Sequence, residues 1–534
     1  MFTFALKNQL YQVMIRKYPI GIQSFEKIIN EGYLYIDKTE FVYNLAHTGN
    51  IYFLSRPRRF GKSLLLSTME AYFLGKKELF KGLKIDKLEK EWIKYPVLHL
   101  DFNAERYKTA EDVDLIINRH LNLWEDIYGK NEREISHSDR LIGILQRAKE
   151  KTGRQVVVLV DEYDKPMLQV MHDAAMLDEY RSIFKGFYGI FKTADPYLKF
   201  VFLTGVTKFG KVSVFSDLNN LNDISMWSEV EGVCGITKDE MLNNFDEDIH
   251  ELGKSNDLSY EETCQELKLW YDGYHFCEDS EGIYNPFSLL NVFQKKRFQD
   301  YWFATGTPTF LANMLKKGNY NMIDVEKSNM RDIDMLKITV DSGDPVQILY
   351  QSGYLTIKNY NKRSGVYTLG FPNQEVKESF YACLAPVFLE VRPEKIMSVS
   401  IDIKNRLLDD DIDGFINIMK DFLPKIPYFF HSNQKTDERH FQEIFYILLL
   451  SAGLVSRVEE YSALGRSDII AESDISVFVF ELKMDKPVEE AMQQIENKAY
   501  IEQYRVTKKN LYAIGVSFNS EKRCIEDYKF KAIV

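Results

Sequence analysis

The hydrophobic pattern of this chain changes character twice, and the three stretches predict three different parts. Ile51-Tyr52-Phe53-Leu54-Ser55 is a short apolar run of strand type, and Lys62 to Tyr72 sets Leu65, Met69 and Tyr72 on one helical stripe. Val97 to Phe102 predicts another strand. Ala110 to Tyr128 predicts a helix, with Val113, Ile116, Ile117, His120, Leu121 and Trp124 at helical spacing. Gln155 to Val160 and Phe200 to Val206 are apolar almost throughout, as strands covered on both faces are. Apolar strands alternating with helices predict a parallel α/β sheet.

After about residue 230 the pattern becomes helical and mostly polar, from Thr237 to Tyr271, and Asn285-Pro286-Phe287 opens a further helix. Ile348 to Phe371 reads as helix, turn and β-hairpin, through Arg363-Ser364-Gly365, the outline of a winged-helix element. Such elements dock on DNA in some proteins and serve only as packing lids in many ATPases. From about residue 400 a long helix around His440 to Ala452 precedes strands at Leu454–Glu459, Ser467–Ala471 and Ser476–Leu482. A helix from Pro487 to Tyr504 and a strand at Leu511–Ser517 follow, an α-β-β-β-α-β order. The expected division is 1–230 as an α/β domain on a parallel sheet, 231–398 as a helical region with a winged-helix-like element, and 399–534 as a second α/β domain.

Composition narrows the class. The 534 residues are 45 % hydrophobic and 28 % charged, the balance of a chain with real cores. A net charge of -11 argues against a bulk polycation but leaves room for a local basic groove. Met1 to Lys7 lacks the apolar core of a signal peptide, and the longest apolar run, Ile444 to Leu450, is too short to span a bilayer, so no membrane role is expected. Five scattered cysteines form no Cys-x-x-Cys pair, which predicts a reduced, cytoplasmic setting without structural zinc.

Two constellations carry chemistry. A P-loop is Gly-x-x-x-x-Gly-Lys-Ser/Thr between a strand and a helix. In Arg56-Pro57-Arg58-Arg59-Phe60-Gly61-Lys62-Ser63 the last three positions are intact, but Arg56 replaces the first glycine, which leaves the loop's conformation open. Lys62 would reach the β- and γ-phosphates of ATP and Ser63 would hold Mg²⁺, with Arg58 and Arg59 adding charge. Val156 to Val160 ends in Asp161-Glu162, an apolar strand delivering acids to its C-terminal end. Asp161 would hold Mg²⁺ through water and Glu162 would activate the attacking water. Thr204 or Thr207, at the end of the next strand, would sense the γ-phosphate.

The second constellation is Asp468 with Glu481-Leu482-Lys483. Metal-dependent nucleases need close carboxylates for Mg²⁺ or Mn²⁺ and a lysine near the attacking water. Period-two alternation puts Glu481 and Lys483 on one face of their strand, opposite Leu482. Glu443, on the preceding helix, is a further acid for the metal, and Gln494, on the following helix, is a further contact. The bland alternative is a Glu–Lys surface pair on an edge strand, which does not account for the apolar run carrying it.

Together these residues resemble a bacterial family with an N-terminal AAA-like ATPase domain and a C-terminal PD-(D/E)XK nuclease-like domain. The resemblance extends through Tyr18-Pro19-Ile20-Gly21-Ile22, Tyr33-Leu34-Tyr35-Ile36-Asp37-Lys38-Thr39, Asp161-Glu162-Tyr163-Asp164-Lys165-Pro166 and Thr204-Gly205-Val206-Thr207-Lys208-Phe209. It continues through Leu218-Asn219-Asn220-Leu221, Trp270-Tyr271-Asp272-Gly273-Tyr274, Tyr284-Asn285-Pro286, Gly465-Arg466-Ser467-Asp468 and Gln494-Ile495. It implies that arginine in place of the first P-loop glycine is a family trait. Three readings compete. ATP gates a Mg²⁺-dependent nuclease acting on DNA, for instance against foreign or mobile elements. Alternatively, nucleotide controls assembly, including homo-oligomers, while the nuclease fold binds nucleic acid without cutting. In the third, the chain is a nucleotide-dependent protein platform. Intact Asp468, Glu481 and Lys483 favour the first.

Overall fold

The structure is a computed structural model. It describes residues 16–533 apart from 105, 172, 209–214, 216–217, 219, 303–313, 317–319, 321, 336–344, 427–437, 463–464, 474 and 499. Phe209 and Asn219 of the motifs above, and Met1 to Lys7, lie outside the described residues. Two compact units emerge: Met1–Gln299 with Arg331–Ser342 and Gln351–Gly353, and Asp300–Met330 with Gly343–Tyr350 and Tyr354–Val534.

The first unit is built on a five-stranded parallel sheet, counted among the described residues: β1 (Ile51–Ser55), β2 (Val97–Asp101), β3 (Val156–Asp161), β4 (Leu198–Gly205) and β5 (Asn222–Asp223), in the order β2-β3-β4-β1-β5. Every residue of β3 is buried, as expected of an apolar strand inside a parallel sheet. Leu98, Val158 and Val201 share a core with Val113, Ile116, Leu121, Leu141 and Phe184 from three covering helices, Ala110–Tyr128, His137–Thr152 and Ala174–Thr193. The register sets Leu54 beside Thr204 and Asp101 beside Asp161, so the C-terminal ends of β1, β2, β3 and β4 converge on one edge. That edge is where parallel α/β sheets place ligands.

The polar helical stretch resolves into Lys238–Asn244, Asp246–Ser255 and Tyr260–Tyr271. Two start in capping boxes, Thr237 with Glu240 and Ser259 with Glu262, which satisfy first-turn amides. A short antiparallel pair, β6 (Ile236–Thr237) with β7 (Ile283–Tyr284), leads to the helix Pro286–Lys295, whose first amides donate to the Asn285 side chain.

In the second unit the hairpin β9 (Thr356–Asn361) and β10 (Val366–Gly370) joins a three-stranded sheet with β8 (Asn329–Arg331). The C-terminal sheet is mixed: β11 (Val455–Ser462), β12 (Gly465–Glu472), β13 (Ser476–Met484), β14 (Asn510–Asn519) and β15 (Cys524–Ile533), in sequential order. Only the β13–β14 pairing is parallel. Phe480 of β13 packs on Phe415 and Phe445 from two helices, while Val477 and Val479 face Ile495 of the helix Val488–Asn497. The sheet is therefore covered on both faces, as the apolar run of β13 requires. The expected helix from Pro487 to Tyr504 ends early, at Asn497, followed by a 3₁₀ turn at Glu502–Tyr504. Tyr500, Ile501 and Tyr504 are out of phase with the buried stripe Val488, Ala491 and Ile495, so the chain must turn to bury them. Among the described residues, no helix is long and apolar enough to cross a membrane.

Candidate functional site

The first site lies at the strand ends of the first unit. Gly61 caps the helix Lys62–Phe73 with φ +94°, a left-handed conformation glycine adopts without a Cβ penalty. Lys62 is buried, and its ammonium donates to the carbonyls of Arg56 and Pro57 at 3.0 and 3.1 Å. Ser63 follows, half-buried in the first turn. Arg58 is exposed. The Arg59 guanidinium lies 3.6 Å over the ring of Phe287.

Arg56, at the position of the missing glycine, is 1 % exposed. It donates to the carbonyls of Ser55, Ser225 and Glu231 and stacks on Phe276, with its guanidinium carbon 4.0 Å from the ring centroid. Phe60 is held edge-on by Tyr274 and Phe276. The arginine's side chain thus turns away from the loop into a scaffold made by residues 225–287. Through Tyr274 the Trp270–Tyr274 motif gains a physical role in supporting the loop.

At the end of β3, Asp161 is 6 % exposed and accepts from the Thr204 hydroxyl at 2.7 Å. Thr204 is itself fully buried, so its hydroxyl orients the acid. Glu162 has φ +50°, uncommon for a non-glycine residue and typical of functional turns. Burial pushes its carboxyl up from the ordinary range; Lys62 opposes the shift and Asp161 adds to it. Asp164, which the sequence analysis noted only within a motif, proves central. One of its oxygens accepts from the Val206 and Thr207 amides and the Thr207 hydroxyl, at 3.0, 2.6 and 2.6 Å. The other is buried and, among the described residues, has no hydrogen-bond partner. Tyr163 fastens the same turn, through its amide to the Thr204 carbonyl at 3.0 Å and its hydroxyl to the Thr207 carbonyl at 2.9 Å.

Beside Gly61 opens a cavity of about 90 Å³, walled by Leu34, Ile36, Leu64, Val233, Ile236 and Leu290. Lys38, at its edge, is buried against both carboxylate oxygens of Glu240 at 2.6 Å. The opening Tyr33–Lys38 motif therefore contributes walls to this cavity.

The second site lies on the C-terminal sheet. β13 is its central strand, so Glu481 and Lys483 are not an edge-strand surface pair. Regular β12–β13 pairing ends at Ile469 with Phe480, and beyond it the Leu482 amide donates to Asp468 at 2.8 Å. Glu481 is 0 % exposed. Lys483 donates to one of its oxygens at 2.7 Å; the other oxygen is buried and, among the described residues, has no hydrogen-bond partner. Burial first, then the Asp468 charge, pushes the Glu481 carboxyl up to about 7, against the pull of Lys483. Burial opposes charge on Lys483, but Glu481, Asp468 and Glu438 together raise it above the ordinary lysine value.

Glu438, at the start of the helix Glu438–Ser451, is a residue the sequence analysis missed. It lies 4.0 Å from the Lys483 ammonium and accepts from the Met484 amide. Gln442, one helical turn on, donates to the Asp468 carbonyl at 2.9 Å, so this face of the helix meets the site. The i, i+4 pair Glu438 and Gln442 was the available signal. Glu443 is buried; burial and then Glu326 push the Tyr381 hydroxyl well up, and the Glu443 charge adds to that shift. Gln494 donates to the Tyr500 hydroxyl at 3.3 Å.

Among the described residues no three acid, histidine or cysteine side chains converge as a closed metal site. Two adjacent acids, one with an unpartnered buried oxygen, nevertheless fit Mg²⁺, which is held by one or two carboxylates and completes its shell with water and phosphate.

Comparison with known proteins defines the class. A model described as predicted AAA-ATPase matches residues 19–215, and one described as PD-(D/E)XK nuclease superfamily matches residues 436–528. The chain is 34 % identical over 526 residues to an uncharacterized protein in the vnfD 5′ region of Azotobacter chroococcum mcd 1, spanning 97 % of this chain and 99 % of that one. The chain belongs to this family of predicted AAA-ATPases with a C-terminal PD-(D/E)XK nuclease superfamily domain, and the resemblance drawn from its motifs is borne out. The Aeropyrum pernix ORC2 protein, solved as ADPNP–ADP complexes, aligns with 67 % of this chain and 98 % of its own at 10 % identity and a TM-score of 0.24, too low to add to the assignment.

Proposed function

We propose that this chain binds and hydrolyses ATP at the first site and uses the nucleotide state to control a Mg²⁺- or Mn²⁺-dependent nuclease at the second, with DNA as substrate. We take 1–230 as the ATPase part, 231–398 as the lid and winged-helix part, and 399–534 as the nuclease part. The observation that carries the reading is the partnerless Glu481 oxygen beside Asp468 and Lys483 on a central strand, in a chain that also bears Gly61-Lys62-Ser63 and Asp161-Glu162.

At the first site Gly61, Lys62 and Ser63 would take the phosphates, with Arg58 and Arg59 adding charge at the rim. The apolar cavity beside Gly61 would take the base. Ser63 and Asp161 would hold Mg²⁺, Thr204 would keep Asp161 in place, and Glu162 would accept a proton from the attacking water. At the second site Asp468 and Glu481 would hold the metal, which supplies Lewis acidity when bound. Lys483 would orient the water or steady charge on the phosphate, with Glu438 or Glu443 as a further acid.

The test uses purified full chain with plasmid and linear DNA, Mg²⁺ or Mn²⁺, with and without ATP. Cleavage that needs Asp468 and changes when Lys62→Ala is introduced supports the reading. Glu162→Gln should bind ATP and turn it over slowly. Metal-independent binding of DNA with no cleavage under any condition would favour a binding-only switch.

A further inference from the structure

The first unit is not one stretch of chain: among its parts are the three residues Gln351–Gly353, preceded and followed in sequence by residues of the second unit. Those three touch the nucleotide-site elements directly. The Lys208 amide, next to Thr207, donates to the Gln351 side-chain oxygen at 2.6 Å, and Gln351 is buried. Two residues on, Gly353 has φ +89°, and a Cβ there would stand 2.5 Å from Cβ of Pro57 in the phosphate loop. Pro57 is also one of the two residues whose carbonyls hold Lys62.

These contacts form a continuous chain. The Glu162 turn is fastened by Tyr163 and Asp164 to the Thr204–Thr207 turn. The next residue, Lys208, is fastened to Gln351, and its ammonium pairs with Asp223 on β5 at 3.0 Å. Gly353 then abuts Pro57, which returns to Lys62. We propose that Gln351 and Gly353 are positioning residues of the nucleotide site, setting the turn after β4 against the phosphate loop. The inference rests on the ATP reading above. It carries a regulatory consequence. For Lys62 to turn to phosphate it must leave the Pro57 carbonyl, and a difference in the loop between free and nucleotide-bound states would be felt at Gly353. Residues 351–353 are covalently continuous with the second unit and would pass that difference along the chain.

The experiment compares wild type with Gln351→Ala, Gln351→Glu and Gly353→Ala in the full chain, measuring ATP affinity by calorimetry, kcat and KM for hydrolysis, and melting temperature. Gln351→Ala leaves the half-buried Lys208 amide without its acceptor and should lower kcat/KM about tenfold, while Gln351→Glu, which keeps an acceptor oxygen, should stay within about twofold of wild type. Gly353→Ala should weaken ATP binding about tenfold, because its Cβ must displace Pro57. Folded Gln351→Ala and Gly353→Ala proteins that bind and hydrolyse ATP like wild type would overturn the proposal, even if their melting temperatures fall. If Gly353→Ala does not fold, the Gln351 pair decides alone. Wild type that binds no ATP defeats the nucleotide reading itself, and this inference with it.

Discussion

The two sites hold their charges in opposite ways. In the first, three of the charged groups named for the chemistry have internal stand-ins: Lys62 rests on two backbone carbonyls, Asp161 on the Thr204 hydroxyl, Arg59 on Phe287. In the second, among the described residues, Glu481 keeps one buried oxygen with no hydrogen-bond partner, and Asp468 and Glu438 crowd it with like charge that Lys483 opposes. A cradle with internal partners is stable while empty and must exchange them to bind. A buried carboxylate oxygen beside like charge carries an unmet need and should respond to a cation.

The largest expected effect tests the second site. Asp468→Ala or Glu481→Ala should cut DNA cleavage by on the order of a hundred- to a thousandfold, because each removes a carboxylate that would hold the metal supplying Lewis acidity. ATP turnover should stay at the wild-type rate, since the acids lie in another unit from Lys62. Cleavage assays and phosphate release on one preparation measure both. Undiminished cutting by Asp468→Ala would leave the contrast without chemistry on its second side.

Next comes Arg56. If it replaced the P-loop glycine for the sake of phosphate, Arg56→Gly would simply alter ATP affinity. Its burial and three carbonyl contacts predict otherwise: a loss of about 3 kcal/mol of unfolding free energy with no gain in ATP affinity, from orphaned acceptors and a flexible glycine. Denaturant unfolding and calorimetry check the two halves. Tighter ATP binding with unchanged stability would return Arg56 to the phosphate site.

Lys62→Ala should weaken ATP binding by roughly tenfold to a hundredfold, about 1.5–3 kcal/mol. The effect falls short of a full charge–phosphate contact because wild type must first break Lys62 from the Arg56 and Pro57 carbonyls. Equal affinities by calorimetry would mean that Lys62 keeps its internal partners when nucleotide is bound.

The sequence disclosed the parts whose signal is local. The alternation on β13 put Glu481 and Lys483 on one side, and the all-apolar β3 announced its buried place. It could not disclose what depends on residues distant along the chain. The use of Arg56 is decided by Ser225, Glu231 and Phe276, and the turn after β4 by Gln351. β15 escaped notice for a different reason. Its Glu526, Asp527, Lys529 and Lys531 are exposed, so no apolar alternation marks it as a strand. Glu438 was hidden by an ordinary look, since an acid in the first turn of a helix is expected for the helix's own sake.

The smallest effect sharpens the comparison most directly, because it reads the unmet need of Glu481 without any assay of activity. Its carboxyl stands at about 7, against 4.5 ordinarily, through burial and then the Asp468 charge. An acid whose folded value is raised binds its proton more tightly folded than unfolded. Its contribution to stability is therefore present below the unfolded value and is lost as pH rises towards the folded one. Without divalent cation, wild type should lose stability as pH climbs from about 4.5 to about 7 and change little from this group above that. Glu481→Gln, which cannot ionise, should lack that slope, so the difference between the two melting curves isolates the group. Mg²⁺ should raise the wild-type melting temperature at about pH 8, where Glu481 is charged, and do little at about pH 5, where the cation must compete with a proton. Thermal melts of both proteins in chelator and in Mg²⁺ across that range supply the measurement. A difference between wild type and Glu481→Gln that does not change with pH would make Glu481 an ordinary carboxylate, and the two sites would then differ in fold but not in how they hold charge.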